Sequence, residues 1–281
     1  MAKDGVPPDS EEDNLLTANE PIPFAVLNAD KTLPMLLVCD HASRRFPAAL
    51  GDMGLDPFAR RCHLAWDIGA GPLTERLSSR LGITAVLAQY SRLVVDCNRD
   101  LFDPGAFLEF GDGVVVHGNR NLDQAGKDRR AAEIYWPYHY AIDMELKRLA
   151  AFGDSTAFFA IHSFTPVMNG VSREVEIGIL WDADRDTAEL LIEGFRNAGF
   201  KVGDNEPYSG KAPQDFTIDH HAEDAGLPHV GIEIRQDLID DSAGVEAIAK
   251  VMDGIIHTVL ERSNKQKNET SHNLVMGPTG Y

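Results

Sequence analysis

The chain reads as an α/β protein, a three-layer α/β/α fold around a mostly parallel central sheet. Two observations predict this. Short apolar runs without polar alternation recur at residues 34–39, 157–161 and 229–234, and strands covered on both faces require such runs. Stretches with helical spacing lie between them, and alternating strands and helices build a sheet flanked by helices on both sides. The runs at 34–39 and 157–161 also hand polar residues to the chain just after them, at the carboxyl edge where open α/β sheets bind ligands.

Composition bounds the class. At 281 residues, with 43% hydrophobic and 25% charged residues, the chain is ordinary globular protein and long enough for one large domain. The expected organisation is a mobile acidic arm over residues 1–20, a single domain over 21–262 and a flexible tail over 263–281. No apolar run approaches the roughly 20 residues of a membrane helix, and the N-terminus lacks the apolar core of a secretory signal, so the expected location is cytoplasmic. Cys39, Cys62 and Cys97 show no C-x-x-C spacing and are expected as reduced packing residues. A formal net charge of -18 argues against a nucleic-acid partner, which needs a basic surface. A small anionic substrate is still possible, provided arginines make one pocket locally positive.

In order, 34–39 is a central strand that ends on Asp40-His41-Ala42-Ser43. Trp66-Asp67-Ile68-Gly69 opens a helix with Ile68, Leu73, Leu77 and Leu81 on one face, stopped at Gly82. A strand over 83–87 runs almost directly into another over 92–98, whose Leu93-Val94-Val95 centre is apolar while Arg92, Asn98 and Arg99 sit at its ends. Residues 100–130 are irregular and too long for a simple connection, which suggests a functional loop. Helical spacing returns over 133–152, with Pro137 in the first turn or at a kink. Then come a strand over 157–161 ending on His162-Ser163-Phe164-Thr165-Pro166, a strand over 175–181, a helix over 187–198 stopped by Gly199, a turn-rich loop over 205–210, a strand over 229–234 and a closing helix over 244–260.

The chemistry concentrates at strand ends. His41 and His162 are far apart in sequence, yet a parallel sheet brings both to one edge, and the pair points to a metal. A lone histidine is more commonly a core hydrogen-bonding group. Catalytic zinc takes three protein ligands from His and carboxylate and keeps one position open. Asp67 is the expected third ligand; its competing role is helix N-cap. Asp40 is the fallback, although it should diverge from His41 unless the strand has already ended. Glu233, embedded among apolar residues, needs a partner, either Arg235 or water at the metal, and can serve as general base and acid. Arg99 with Asn98 makes a carboxylate clamp and Arg92 can stabilise an oxyanion; the structural alternative pairs these arginines with Asp96 or Asp100.

The segments Asp40-His41-Ala42-Ser43, His63-Leu64-Ala65-Trp66-Asp67-Ile68-Gly69-Ala70, Ser91 through Arg99, His162-Ser163-Phe164-Thr165-Pro166, Asn205-Glu206-Pro207-Tyr208-Ser209 and Glu233-Ile234-Arg235-Gln236-Asp237-Leu238 together resemble the N-formylglutamate amidohydrolase family. The resemblance covers about residues 34–238. It implies a zinc-carboxypeptidase-like fold, a zinc ion, and hydrolysis of an N-acyl acidic amino acid, with formylglutamate giving formate and glutamate in histidine breakdown. Asp96-Cys97-Asn98-Arg99 also resembles a substrate-carboxylate segment of the aspartoacylases. Taken with the reading of the residues, Glu233 and Arg92 are the catalytic candidates, Asn98, Arg99, Tyr208 and Arg235 the substrate-binding ones, and His41, Asp67 and His162 the metal ligands, the third ligand not being settled by the resemblance. The chain departs from the carboxypeptidase His-x-x-Glu pattern, because Arg44 stands where the glutamate would be. A carboxypeptidase for short acidic peptides and a non-catalytic carboxylate-binding protein are the competing readings.

Overall fold

A computed structural model describes residues 14–152, 155–211 and 215–275. Its strands are β1 (Phe24–Leu27), β2 (Met35–Cys39), β3 (Thr84–Ala88), β4 (Phe110–Gly111), β5 (Val114–Val115), β6 (Ala157–Phe164), β7 (Val167–Met168), β8 (Val171–Ser172), β9 (Ile177–Leu180), β10 (Val202–Asp204) and β11 (His229–Arg235). Its helices are α1 (Ala70–Leu81), α2 (Gln124–Arg130), α3 (Trp136–Leu149), α4 (Arg185–Asn197), α5 (Phe216–Ile218) and α6 (Ser242–Val275). Seven strands form one sheet in the order β1-β3-β2-β6-β11-β9-β10. Its centre, β3-β2-β6-β11, is parallel. The reversals lie at the flanks, with β1 antiparallel to β3 and β9 antiparallel to β11. The expected α/β architecture is observed, and β4–β5 and β7–β8 add two small hairpins.

Strand alternation sorts the side chains into two cores. Leu36, Val38, Phe158 and Ala160 pack on one face with Tyr138, Ile142 and Leu149 of α3. Leu37, Phe159, Ile161, Val230 and Ile232 pack on the other, against Leu73 and Leu77 of α1, Leu191 and Phe195 of α4 and Met252 of α6. Each such side chain contributes about 1.5–3 kcal/mol by burial. Carrying the alternation past the last apolar residue places His162 and Glu233 on the α3 face, and the β6–β11 register pairs them directly.

Several boundaries differ from the sequence expectation. The strand expected over 92–98 is a string of turns: Val94 N–H donates to Ser91 O at 2.9 Å and Asn98 N–H to the Asp96 side chain at 2.9 Å. The carbonyls of Leu93 and Val94 accept from the Asn119 and Arg130 side chains instead of a neighbouring strand. Leu93-Val94-Val95 is buried, as its composition demands, but an apolar run does not reveal whether it is extended. The strand expected to stop at Ile161 continues to Phe164, so His162 sits inside it. Helix α4 starts earlier than expected because Asp184 caps it, accepting from Thr187 N–H at 3.0 Å. The helical stretch around Pro137 widens into a π turn at Ala131–Tyr135 just before the proline, which lacks an N–H. The irregular 100–130 stretch is tied down by buried Arg130, which donates to Val94 O and Gly118 O at 2.9 Å each and to the Asn119 side chain at 2.5 Å.

Of the acidic arm, residues 1–13 lie outside the described residues. Residues 14–20 are packed rather than mobile: Leu15 is buried, and the N–H groups of Leu15 and Leu16 donate to the Glu133 carboxylate at 2.8 and 2.9 Å. Apolar Leu15-Leu16 supplies the burial that the surrounding acidic composition conceals. At the other end α6 carries the backbone in helical form through the stretch expected as a tail, to Val275, and residues 276–281 lie outside the described residues.

Candidate active site

Strand β2 ends at Cys39, so Asp40 and His41 lie in a turn, and neither is bound by strand alternation. His41 comes from this turn, Asp67 from the segment before α1, and His162 from within β6. Helix α1 is capped by Gly69, not by Asp67. Gly69 has φ +83°, and a Cβ there would lie 2.2 Å from Ile239 O, so only glycine fits this close approach. With capping left to the backbone, the Asp67 carboxylate turns inward. Its Oδ2 lies 3.3 Å from His41 Nδ1 and 2.9 Å from His162 Nδ1, and it accepts from Ser163 N–H at 3.2 Å.

The far nitrogens of both rings face carboxylates as well. His41 Nε2 meets Asp96 Oδ1 at 2.7 Å, and His162 Nε2 lies 3.1 Å from Asp40 Oδ2. Asp40 is fixed through its other oxygen by the hydroxyls of Tyr138 at 2.8 Å and Thr217 at 2.7 Å. Asp40 therefore orients His162 from behind instead of joining the inner trio. Burial works against charge on the imidazoles, but Asp96 and Asp67 outweigh it at His41, as Asp40 and Asp67 do at His162, and both rings are raised above their ordinary range. Burial likewise opposes ionisation of Asp67, yet the histidines hold its carboxyl well below the usual carboxylate range.

His41, Asp67 and His162 offer one ligand atom each within 4.8 Å of one another, all buried. Zinc bonds of ~2.0–2.2 Å in a tetrahedron place neighbouring ligand atoms about 3.3–3.6 Å apart. The observed 3.3 and 2.9 Å are close to that edge. Asp67 Oδ1 is buried without a hydrogen-bond partner among the described residues, as are His63 Nδ1, Asp215 Oδ1 and Glu233 Oε2 around it. Two imidazoles backed by carboxylates, plus one carboxylate with an unsatisfied oxygen, fit a divalent cation. Arg44 points elsewhere, over the Trp66 ring at 5.3 Å.

These groups line a cavity of about 180 Å³ together with Arg92, Asn98, Arg99, Tyr208 and Glu233. Glu233 is 8% exposed; burial pushes its carboxyl up to about 7, with His162 opposing and Asp67 and Asp215 reinforcing the rise. Arg92 donates from Nε and Nη2 to Asp96 at 3.1 and 2.7 Å, which is the aspartate pairing weighed against an oxyanion role, while its Nη1 lies 3.6 Å from Asp67 Oδ1. Asn98 accepts from Thr217 N–H at 2.9 Å. Arg99 donates to Asn98 O at 3.1 Å. Tyr208 accepts from Arg173 at 3.1 Å. Arg235 is not on this wall: it donates to Asp237 at 2.7 and 3.1 Å, so it is neither a cavity residue nor the partner of Glu233.

Sequence reasoning passed over His63, 3.6 Å from Asp67 Oδ1, and Asp215, buried with one unsatisfied oxygen. His63 stands four residues before Asp67, a spacing that could have drawn notice. Asp215 lies in a polar stretch with no apolar periodicity to mark it. The hydrogen bond of Asp96 to His41 and the close approach of Asp40 to His162 were also invisible, because they depend on tertiary placement.

Fold and site define an α/β protein with a buried His-Asp-His centre at the carboxyl edge of its parallel strands. Residues 33–240 match the family model described as N-formylglutamate amidohydrolase, and the chain belongs to that family. It is 28% identical over 186 residues to an N-formylglutamate deformylase of Pseudomonas aeruginosa, a match covering 62% of this chain and 60% of that relative. Among solved structures, a gene product of Agrobacterium tumefaciens is 35% identical with a TM-score of 0.84, over 91% of this chain and 100% of that one. The N-formylglutamate amidohydrolase of Ralstonia eutropha shares the fold at 19% identity and a TM-score of 0.68, over 88% of this chain and 100% of that one. Among the described residues no helix is long and apolar enough to cross a membrane.

Proposed function

We propose that the protein is a zinc-dependent amidohydrolase that cleaves N-formyl-L-glutamate to formate and glutamate, a cytoplasmic step of histidine breakdown. The observation that carries this reading is the convergence of His41, Asp67, His162, Glu233 and Arg99 on one cavity. The name of the Pseudomonas relative supports the substrate.

Arg99 and Asn98 hold the substrate carboxylate and so position the formyl carbon. His41, Asp67 and His162 would hold zinc, which when bound would supply Lewis acidity for the formyl carbonyl. Glu233 takes a proton from water as its oxygen adds to the formyl carbon. Arg92, fixed by Asp96, faces the oxyanion that develops. Glu233 then returns the proton to nitrogen as the C–N bond breaks, releasing formic acid and the amine, and the acid's proton passes to the amine or to solvent to leave formate. A carboxyl held up at about 7 is suited to both transfers near neutral pH. Tyr208 lines the same cavity.

The test is zinc content and formate release on protein purified without chelator. One equivalent of zinc and turnover of N-formylglutamate, with loss of turnover on the substrate's methyl esters, is the expected result. Zinc-loaded protein inert toward N-formylglutamate would remove the reading.

A further inference from the structure

A second chamber opens beside the reaction centre. It measures about 540 Å³ against about 180 Å³ for the inner cavity, and both are lined by His63, Arg92, Arg99 and Tyr208. Cavities of ~300–1,000 Å³ hold drug-sized ligands, so the inner one is sized for a small group and the outer one for a far larger body. Beyond the shared residues the chamber presents five apolar side chains, Leu64, Leu93, Leu108 and, from the β7–β8 hairpin, Val167 and Met168, set among the polar Asp96, Asp112, Thr165 and Asn169. A glutamate side chain would fill only part of this volume, and the five apolar groups would stay uncovered beside it.

The chamber is built rather than incidental. Arg173, directly after β8, lies over the rings of Phe164 and Tyr208 at 5.5 and 5.1 Å, donates to the Tyr208 hydroxyl at 3.1 Å and contacts the Met168 sulfur. Its N–H donates to Pro166 O at 2.8 Å. The hairpin is thereby fastened to the loop that carries Tyr208. Gly105, Leu108, Gly111 and Asp112 of the lining come from the 100–130 stretch that Arg130 pins. Val167 and Met168 nonetheless remain 50% and 44% exposed, leaving apolar surface for an occupant to cover.

We infer that the substrate class extends to N-formyl amino acids with large apolar side chains, aliphatic, thioether or aromatic. The formyl group enters the inner cavity, the α-carboxylate meets Arg99 on the shared wall, and the side chain fills the outer chamber. This rests on the amidohydrolase reading for its chemistry, and the reaction is the same: water adds to the formyl carbon, the C–N bond breaks, and nitrogen takes the proton.

Formate release is compared for N-formylglutamate, N-formylleucine and N-formylphenylalanine on the zinc-loaded full chain, with Met168→Asp and, as a second surface variant on the same hairpin, Val167→Asp. Wild type is expected to turn over N-formylphenylalanine with kcat/KM within about 10-fold of N-formylglutamate. Either variant should lower the phenylalanine-to-glutamate ratio by about 10-fold or more, the range that apolar pocket contacts command. Turnover of N-formylglutamate alone, or a ratio that both variants leave unmoved, overturns the inference and spares the amidohydrolase reading. If no formyl compound is turned over, the amidohydrolase reading falls, and thermal stabilisation by N-formylphenylalanine decides the chamber: stabilisation of wild type that Met168→Asp abolishes upholds it, and its absence sinks it.

Discussion

Among the described residues two histidine pairs are buried on the α3 side of the sheet, and only one has the makings of a reaction centre. His41 and His162 each have a carboxylate at both ring nitrogens. His139 and His221 are as deeply buried and hydrogen-bonded to each other at 2.9 Å, but His139 Nε2 donates to the Cys97 carbonyl at 3.0 Å and a carboxylate reaches the pair at one end only, Asp143 at 2.8 Å from His221. Burial lowers His139 to about 3, with His221 adding to the effect, whereas the first pair is raised. Burial alone makes an imidazole a neutral packing group; surrounding carboxylates make it a cation or a place for one.

The sharpest way to break the contrast is His162→Ala, which removes one imidazole from the trio and leaves Asp40 and Asp67 unbalanced. Zinc binding and formate release are expected to vanish together, read by metal analysis and a formate assay on one preparation. Glu233→Gln keeps shape and metal but removes the base, so kcat should fall about 10²–10⁴-fold with bound zinc unchanged. The variant should also lose the acidic limb of kcat/KM, since a carboxyl near 7 must be ionised to accept a proton; a limb that survives the substitution would assign the base elsewhere. Asp96→Asn leaves the inner trio intact and weakens the group behind His41, together with its contacts to Arg92 and Asn98 N–H, and a loss of about 10–100-fold in zinc affinity is expected from competition titrations.

The smallest effect falls on the other pair. His139→Phe removes the bond to Cys97 O and strands His221, a cost of about 1–3 kcal/mol in chemical denaturation with zinc affinity unchanged. Its pH dependence has a definite sign. The folded value is depressed from about 6.5, so the neutral ring's contribution is complete above pH 6.5 and declines as pH falls toward 3, at up to about 1.4 kcal/mol per pH unit. The stability gap between wild type and variant should therefore narrow from pH 7 to pH 5, and a gap that widens would mean the pair is cationic.

The contrast also explains what could be read from sequence. The sheet was legible because fully covered strands leave unbroken apolar runs, as at Met35–Cys39, and His41, His162 and Glu233 could be placed because such runs end on them or enclose them. Where turn chemistry decides conformation, the reading failed: Leu93-Val94-Val95 has strand composition, yet Asp96 binds its own backbone and bends the chain. Arg235 was misplaced because its motif position says nothing of Asp237, which occupies its guanidinium. Asp215 and the reversed edge strands depend on partners hundreds of atoms away along the chain, and local pattern carries no trace of them.

The centre draws His41, Asp67, Asp96, His162 and Glu233 from five separate stretches, and His162 lies on a strand flanked by β2 on one side and β11 on the other. β11 is the last strand of the sheet to leave the ribosome. A nascent chain that ends before it exposes one flank of β6 and lacks Glu233 altogether, however long the rest has been waiting. The full set of five is thus assembled only when nearly the whole domain has emerged, so completion of the site and completion of the sheet fall together late in synthesis.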